Sequence, residues 1–509
     1  MKKNFKAILV MLLFTFSLQS CNKDLGNYSY SELSEIQFTG VDSVYQAYNQ
    51  KELVIKPDIK FLDGAAFKAD DYTFEWFTIN PAANVLNADK KKFLGNQLNL
   101  DTTITLSPGE YDLYFRIQNK KNNYRYQHIS KLSVTSELSN GWLVLNDIDG
   151  KARLDMLNYN SSQQKYVPYL DILSTFSNAQ LEGKPKLVYY LHNRDPFNGK
   201  YSNRVYVGTD QMTLSFNNEI QTWTDYRNLR FEVNHPTSST YHAEVIRSQN
   251  PFLCYILDSD GILMGENVTQ NFLYGPTLNR VGGGVRLNIS KYIAEFYGAS
   301  SAYAVVFDQD NKRFLVHSGT NYTLLQPSSS QPEVFTPDQV GMDLLYMERG
   351  LTATNQFYAL LKNSNTSQIK LLRFVHSSST FTPLAFDVVN NTHQIDQATS
   401  YAVDPVFGSL IYTIGSQVYQ YDPFGKKYTL LLDLGNRKIS VLKYQKLLKN
   451  KVDPRYIDFS KKLMICSYDP SQPNTSGKME FYEISLGGAA KLTESYTGFG
   501  KIADVSYRE

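Results

Sequence analysis

The residues best suited to chemistry in this chain are its seven histidines and three cysteines. None of the histidines falls in a His-Glu-x-x-His pattern or in another close grouping of metal ligands. The closest pair, His235 and His242, is separated by Pro236 and a run of serine and threonine, and we interpret both as loop residues. The sequence therefore predicts no metal, no cofactor and no catalytic residue.

Aspartates recur where short apolar runs end, and one such segment superficially resembles a calcium-binding loop, Asp308-Gln309-Asp310-Asn311-Lys312. It lacks the glycine at the sixth position and the closing glutamate of such a loop. An aspartate side chain also accepts backbone N–H bonds across a β-turn, and the recurrence favours that role.

One aromatic cluster is a candidate for ligand binding. Trp223, Tyr226 and Arg227 lie among polar residues, whereas Trp76 and Trp142 lie in strand patterns that indicate a core. We expect Trp223 to face solvent, with Tyr226 and Arg227 beside it, where the three could contact a sugar ring or a peptide. The alternative is that the cluster packs within an ordinary hairpin.

The first twenty residues have the composition of an export signal, a basic tip followed by an apolar run. The run at 7–18 is about twelve residues long, too short for a bilayer core that requires roughly twenty. Leu18-Gln19-Ser20-Cys21 resembles the lipobox of bacterial lipoproteins, in which the cysteine is lipidated and becomes the mature N-terminus, although Gln19 departs from the usual small residue. We predict a signal peptide at 1–20, lipidation of Cys21 and a tether at 21–30.

Composition favours a β protein without affinity for nucleic acid. Basic and acidic residues number 51 and 49, so there is no bulk charge to attract a polyanion. The 37 tyrosines and 29 phenylalanines suit the half-buried surface of a strand. Cys254 and Cys466 lie in apolar runs and are expected to be buried, and a disulfide between them stays open.

Short strands separated by turns predict a small antiparallel sandwich at 31–136. Its clearest strands are Tyr72-Thr73-Phe74-Glu75-Trp76-Phe77 and Tyr111-Asp112-Leu113-Tyr114-Phe115-Arg116-Ile117, which alternate apolar and polar residues. The first strand, the Pro108-Gly109-Glu110-Tyr111 turn and the opening Cys21-Asn22-Lys23-Asp24-Leu25-Gly26-Asn27-Tyr28 resemble the PKD-like family of Bacteroidetes lipoproteins, which has an immunoglobulin-type domain. That resemblance implies export to the outer membrane, exposure on the cell surface and association with a Sus-like TonB-dependent importer.

A repeat of strand, aspartate, turn and strand follows from residue 140 to 509. Its aspartates at 147, 258, 308, 404 and 458 are spaced by one or two steps of roughly fifty residues. Repeats of this length built from strands are typical of β-propeller blades, and two weaker copies bring the predicted number to seven. A large irregular β-sandwich is the alternative, and six or eight blades remain open. Two stretches, 290–296 and 442–449, are predicted to be helical.

Three functions are compatible with these features. The first is a lipid-anchored surface protein that binds a glycan or a peptide, or that docks with a Sus-like importer. The second is a surface glycosidase or polysaccharide lyase with its site in the propeller channel, which two or more carboxylates beside an open cleft would favour. The third is a purely structural assembly partner, which a flat apolar face without a cleft would favour.

Overall fold

The structure is a computed structural model that divides into two compact units. The first comprises Met1–Ile104 and Glu110–Ser133, and the second comprises Thr105–Gly109 and Val134–Glu509. The residues that it describes are 34–49, 51–81, 90–106, 108–135, 138, 140–160, 163–194, 201–217, 223–234, 238–250, 253–267, 273–281, 284–294, 303–318, 323–350, 356–377, 380–445 and 454–509. Cys21, the predicted signal peptide and the tether lie outside them.

The first unit is built from antiparallel strands. Its strands are β1 Ile36–Thr39, β2 Val44–Tyr48, β3 Glu52–Ile55, β4 Asp58–Phe61, β5 Tyr72–Ile79, β6 Lys91–Gly95, β7 Leu100–Thr103, β8 Gly109–Asn119 and β9 Arg125–Thr135. A five-stranded sheet has the order β2-β9-β8-β5-β6, and β1-β4 and β3-β7 form two-stranded sheets. Side chains alternate across β8, so that Leu113, Phe115 and Ile117 enter the core. Trp76 is fully buried and stacks on Phe115 at 4.2 Å between ring centroids, as its strand pattern predicts.

The second unit is also almost entirely β. Its strands are β10 Gly141–Ile148, β11 Lys151–Asn160, β12 Lys165–Tyr169, β13 Pro185–Arg194, β14 Tyr201–Thr209, β15 Thr213–Asn217, β16 Tyr226–Asn228, β17 Ala243–Asn250, β18 Leu253–Asp258, β19 Leu263–Asn267, β20 Leu273–Thr277, β21 Tyr303–Asp308, β22 Arg313–Ser318, β23 Ser328–Ser329, β24 Asp343–Arg349, β25 Phe357–Lys362, β26 Ile369–Ser377, β27 Thr380–Val389, β28 Tyr401–Val403, β29 Leu410–Ile414, β30 Gln417–Asp422, β31 Lys427–Asp433, β32 Lys438–Tyr444, β33 Leu463–Tyr468, β34 Gly477–Glu483, β35 Lys491–Phe499 and β36 Lys501–Arg508.

These strands form seven sheets within the described residues, which follow one another along the chain. Sheet 1 has the order β12-β11-β10-β36, so the last strand of the chain pairs with the first strand of this unit. Sheets 2 to 7 are β13-β14-β15-β16, β17-β18-β19-β20, β21-β22, β23-β27-β26-β25-β24, β28-β29-β30-β31 and β32-β33-β34-β35. The predicted all-β, propeller-like fold is confirmed. The number of blades, seven, stays a prediction, and the seven sheets agree with it.

Seven hydrophobic clusters fill the seams between neighbouring sheets. Each cluster combines buried side chains of two consecutive sheets, and one combines sheet 7 with sheet 1. In that last seam Trp142 is fully buried against the rings of Phe459, Phe481 and Tyr507. Because apolar side chains of a neighbouring sheet pack against both faces of every sheet, both faces are buried away from water.

The two predicted helices are wrong over their described residues, and 295–296 and 446–449 lie outside the part of the chain that the structure describes. Residues 290–294 contain no helix. Leu442 lies in strand β32, where the consecutive residues Val441 and Leu442 face two different seams. The position of Lys443 in this strand also does not fit the period of a helix. The described residues contain two α-helices, Ile172–Phe176 and Pro454–Lys461. The second replaces a strand predicted around Asp458. Proline suits the first turn of a helix, and Tyr456 and Phe459 then share the buried face.

Four of the five recurring aspartates, Asp147, Asp258, Asp308 and Asp404, cap turns as predicted, whereas Asp458 lies in the helix Pro454–Lys461. Asp258 Oδ1 accepts the backbone N–H groups of Asp260 and Ile262 at 2.9 and 2.8 Å. Asp404 Oδ1 likewise accepts those of Val406 and Phe407 at 2.7 and 2.9 Å. Asp308, in the segment that resembles a calcium loop, accepts hydrogen bonds from the side chains of Asn311 and Arg313. These carboxylates therefore stabilise hairpins.

Candidate functional site

A central cavity of about 440 Å³ lies in the second unit, where the inner strands of its sheets converge. Residues of β13, β17, β24, β28, β32 and β36 line it, together with the segment 291–294. Six of the seven sheets thus contribute their inner strand, and the segment that precedes β21 completes the wall. A cleft in this position is where propellers bring residues from distant parts of the chain together.

An ion pair occupies one part of the wall. Lys186 Nζ of β13 and Glu244 Oε1 of β17 are paired, and His242 Nε2 lies 3.0 Å from the same carboxylate oxygen. Burial raises the pKa of Glu244, but Lys186 and His242 outweigh burial and hold this pKa below its usual range. Glu244 is therefore ionised at neutral pH and is not a proton donor there.

A second ion pair lies where the last strand of the chain joins the sheets. Lys443 Nζ of β32 is 2.9 Å from Asp504 Oδ1 of β36 and also donates to the carbonyl oxygen of Val505. Asp504 Oδ2 accepts the backbone N–H of Val188 in β13 at 3.0 Å. One carboxylate thus connects the inner strands of sheets 7, 1 and 2.

Three tyrosines form a ring cluster in the wall. Tyr346 stacks on Tyr401 with 5.1 Å between ring centroids, and Tyr292 meets Tyr346 edge-on at 5.2 Å. Glu348 accepts the hydroxyl hydrogen of Tyr346 and the backbone N–H of Val403, the latter at 2.9 Å. This carboxylate fixes the orientation of the Tyr346 ring. We call Tyr292, Tyr346 and Tyr401 the tyrosine cluster.

The hydroxyls of this cluster are neutral donors and acceptors. Burial raises the pKa of Tyr292, and it also raises the pKa of Tyr401. Burial and the neighbouring Glu348 raise the pKa of Tyr346 well above its ordinary value. None of the three is therefore a tyrosinate base at physiological pH.

The cavity contains three carboxylates, Glu244, Glu348 and Asp504, which is the feature that a glycosidase would require. Each of them already accepts hydrogen bonds from a lysine, a tyrosine or the backbone. These contacts fix the orientation of each carboxylate. A purely structural partner would be favoured by a flat apolar face without a cleft, whereas the described residues of this unit include a cleft.

The residues predicted to bind a ligand are placed elsewhere. Trp223 is 3% exposed, so the expectation that it faces solvent is wrong. It packs against Phe216 in the seam between sheets 1 and 2, and it lies 4.9 Å from the buried guanidinium of Arg508. Tyr226 packs against the same cluster, and Arg227 is exposed. Trp223 therefore cannot stack on a ligand.

The reason for the burial of Trp223 lies in the last strand. Arg508 is 1% exposed, burial lowers its pKa to about 10, and its Nη1 donates to the carbonyl oxygen of Leu138 at 2.5 Å. An indole face stabilises a desolvated guanidinium through a cation–π contact. The polar residues on either side of Trp223 gave no indication that this side chain would pack against Arg508, 285 positions further along the chain.

The two cysteines of the described residues are as predicted. Cys254 and Cys466 are buried and are not joined in a disulfide, and burial raises the pKa of the Cys466 thiol. Within the described ranges no group of three or more His, Cys, Asp or Glu side chains is placed to hold a metal ion. Among the described helices, none has the length and apolar composition needed to cross a membrane.

Sequence reasoning missed the residues of the cavity. Tyr292, Tyr346 and Tyr401 are three of 37 tyrosines and lie in no motif. Pairs of a charged residue and an aromatic one occur throughout the chain, Lys427-Tyr428 among them, so they give no specific signal of the cavity.

Comparisons with known proteins agree with the predicted N-terminal family. Residues 21–185 match the model of the PKD-like family. No curated protein matches the chain. This confirms the PKD-like resemblance over the first unit and the start of the second.

Three solved structures align with most of the chain, at very low identity and with TM-scores below 0.4. A Quinonprotein alcohol dehydrogenase-like protein of Bacteroides thetaiotaomicron has 11% identity and a TM-score of 0.39, over 92% of this chain and 97% of that one. A DUF4784 family protein of Bacteroides caccae has 11% identity and a TM-score of 0.30, over 94% and 100%. The Dos1 propeller has 10% identity and a TM-score of 0.36, over 90% and 94%.

Proposed function

We propose that this protein binds a glycan in the central cavity of its second unit and does not transform it. The observation that carries this proposal is the cavity wall, in which tyrosine rings lie beside paired lysines and carboxylates from most of the sheets. Aromatic faces contact the apolar faces of sugar rings, and fixed carboxylates and hydroxyls exchange hydrogen bonds with sugar hydroxyls. Because the polar groups are held by one another, little ordering is required when a ligand binds.

The same proposal includes attachment to the outer membrane. The lipobox sequence at Cys21 supports lipidation, and several acyl chains on one cysteine would make a durable anchor. The PKD-like unit would then act as a spacer or as a docking module for a Sus-like TonB-dependent importer, to which the second unit would present the glycan. The resemblance to PKD-like lipoproteins supports the partner and the extracellular orientation.

A glycan array tests the binding activity. The full chain, purified in detergent, is applied to an array of oligosaccharides and peptides, and bound members are titrated by calorimetry. We expect a subset of glycans to bind and Tyr292→Ala to weaken that binding about tenfold, because a stacking contact contributes about 1 kcal/mol or more. Phe231→Ala is the matched control, since Phe231 is 71% exposed and does not line the cavity. Binding of peptides alone, or of no member, would contradict the proposal.

Attachment and partnership have their own tests. Cells that express the chain are labelled with a palmitate analogue, and we expect label in the wild type and none in Cys21→Ala. Purification of the anchored protein from its native host should recover an outer-membrane importer. Label in both forms, or recovery without any importer, would contradict these parts of the proposal while the binding activity stands.

A glycosidase or lyase remains testable because three carboxylates line the cavity. Release of reducing ends, or of unsaturated products, from a bound glycan would establish it. We expect neither, since the hydroxyls of the tyrosine cluster stay neutral and the carboxylates are engaged.

A further inference from the structure

Lys291 lies at the tyrosine cluster and differs from the other charged residues of the cavity. Its side chain is exposed, and its Nζ lies 5.4 Å from the centroid of the Tyr292 ring. Within the described residues it forms no ion pair. The lysine therefore presents a full positive charge to the space beside an aromatic face.

The neighbouring charges do not neutralise it. Lys186 is paired with Glu244, and Lys443 is paired with Asp504. The third carboxylate, Glu348, accepts hydrogen bonds from Tyr346 and from the backbone of Val403. The ion pairs of Lys186 and Lys443 account for two of the three carboxylates, so Glu348 is the remaining carboxylate of the lining to set against the charge of Lys291 and that of Arg247.

Arg247 adds to the positive potential at the same place. It lines the cavity and lies near enough to Tyr346 to favour the ionised form of that hydroxyl electrostatically, although burial and Glu348 dominate there. Its Nη1 donates to the carbonyl oxygen of Ile246 at 2.7 Å, which holds the guanidinium in the wall. In all, the lining has four cationic side chains, Lys186, Arg247, Lys291 and Lys443, against three carboxylates.

We propose that the glycan bound in this cavity is acidic, and that Lys291 binds a carboxylate of a sugar unit whose ring contacts the tyrosine cluster. This inference rests on the proposed glycan-binding function and names the ligand class. A uronic acid has an apolar ring face for Tyr292 and a carboxylate at the ring edge for Lys291. Lys291 and the adjacent Tyr292 ring therefore favour a ligand that has both an apolar ring face and a carboxylate.

Paired probes test the inference. Oligomers of galacturonic, glucuronic and mannuronic acid are compared with their methyl esters, which keep the rings and remove the charge. The full chain is titrated with each by calorimetry at low and high salt. We expect at least one acid to bind about tenfold more tightly than its ester, because a hydrogen bond to a charged group contributes about 1.5 kcal/mol or more. Salt should reduce that preference.

Variants assign the preference to Lys291. Lys291→Gln should remove the preference for the acid, and Lys291→Arg should retain it. Lys427→Gln is the matched control, because Lys427 is exposed in β31 and does not line the cavity, while the change in net charge is the same. Thermal unfolding of each variant establishes that the fold is intact, and exposure of Lys291 leads us to expect no shift.

The outcomes separate this inference from the proposed function. Equal affinity for acids and esters, binding of neutral glycans alone, or a preference that survives in Lys291→Gln would overturn the acidic ligand and leave glycan binding in place. Failure of every glycan, charged or neutral, to bind the wild type would overturn both.

Discussion

The inner strands of the sheets take part both in the seams and in the central cavity, and these two regions differ in chemistry. In β32, Val441 and Leu442 enter the seams on either side of sheet 7, whereas Lys443 reaches Asp504 in the cavity wall. The seams are apolar and closed, and the cavity is charged and open to a ligand. The comparison indicates that the stability of the fold depends on the seams, so that the residues of the cavity can serve ligand binding.

Removal of a seam aromatic should have the largest effect. Trp142→Ala removes a fully buried indole that contacts Phe459, Phe481 and Tyr507, and we expect it to lower the free energy of unfolding by about 4 kcal/mol. Chemical denaturation followed by circular dichroism measures this. Val388→Ala, at a 53% exposed position, should change it by less than about 0.5 kcal/mol. A loss below about 1 kcal/mol in Trp142→Ala would mean that the seams do not hold the unit together.

A buried histidine should make the sheet that contains it sensitive to acid. Burial lowers the pKa of His376 to about 4, below the value of about 6.5 in an unfolded chain. The unfolded chain therefore takes up the proton first, so this contribution to stability is complete above about pH 6.5 and decreases as the pH falls toward about 4. Between about pH 7.5 and about pH 5 we expect a loss of about 2 kcal/mol from this group.

Comparison of wild type with His376→Gln isolates that effect. Because the variant cannot titrate at this position, its unfolding free energy should depend less on pH over the same interval. Equal pH dependence in the two proteins would show that His376 is protonated without cost in the folded state.

The ion pair at the last strand should have a smaller effect, since it is partly exposed. Asp504→Asn weakens the contact with Lys443 and leaves the backbone of Val188 with a poorer acceptor. We expect a loss of about 1 kcal/mol in unfolding free energy. A double-mutant cycle with Lys443→Met should show coupling between the two positions. Additive effects would indicate that the pair contributes nothing to the joining of the strands.

The smallest effect is expected at the cluster that the sequence favoured. Arg227 is exposed and outside the cavity lining, so Arg227→Ala should change stability by less than about 0.5 kcal/mol and leave glycan affinity unchanged. Calorimetric titration measures the affinity. A clear loss of binding in this variant would place the ligand away from the cavity.

The fold was predictable from the sequence because its signals are local. Alternation in Tyr72–Ile79 and Gly109–Asn119 gave the strands of the first unit, and aspartate-capped turns gave the repeat of the second. The prediction of a strand around Asp458 failed because the apolar residues of Pro454–Lys461 fit a helix as well as they fit a strand. The helix predicted at 442–449 is wrong over its described residues, 442–445, because β32 packs in two seams and its apolar residues do not alternate.

The candidate site was not predictable, because its residues are distant in sequence. Lys186 and Glu244, or Lys443 and Asp504, come together only when the inner strands converge. Trp223 was wrongly predicted to be exposed, because its neighbours in the sequence are polar. In the structure Arg508, near the end of the chain, covers its ring. The cavity ion pairs and the burial of Trp223 both depend on contacts between strands that are distant in sequence, and a single sequence does not show which distant strands meet.

The most direct test of the central claim is the position of a bound glycan. A glycan that binds the full chain is given a photoreactive group, cross-linked, and the labelled peptides are identified by mass spectrometry. We predict label on peptides that contain Tyr292, Tyr401 or Lys443. A groove of the first unit lined by Lys60, Phe61 and Phe67 offers the alternative site. Label on that groove, or on the peptide of Trp223, with none in the cavity would contradict the account.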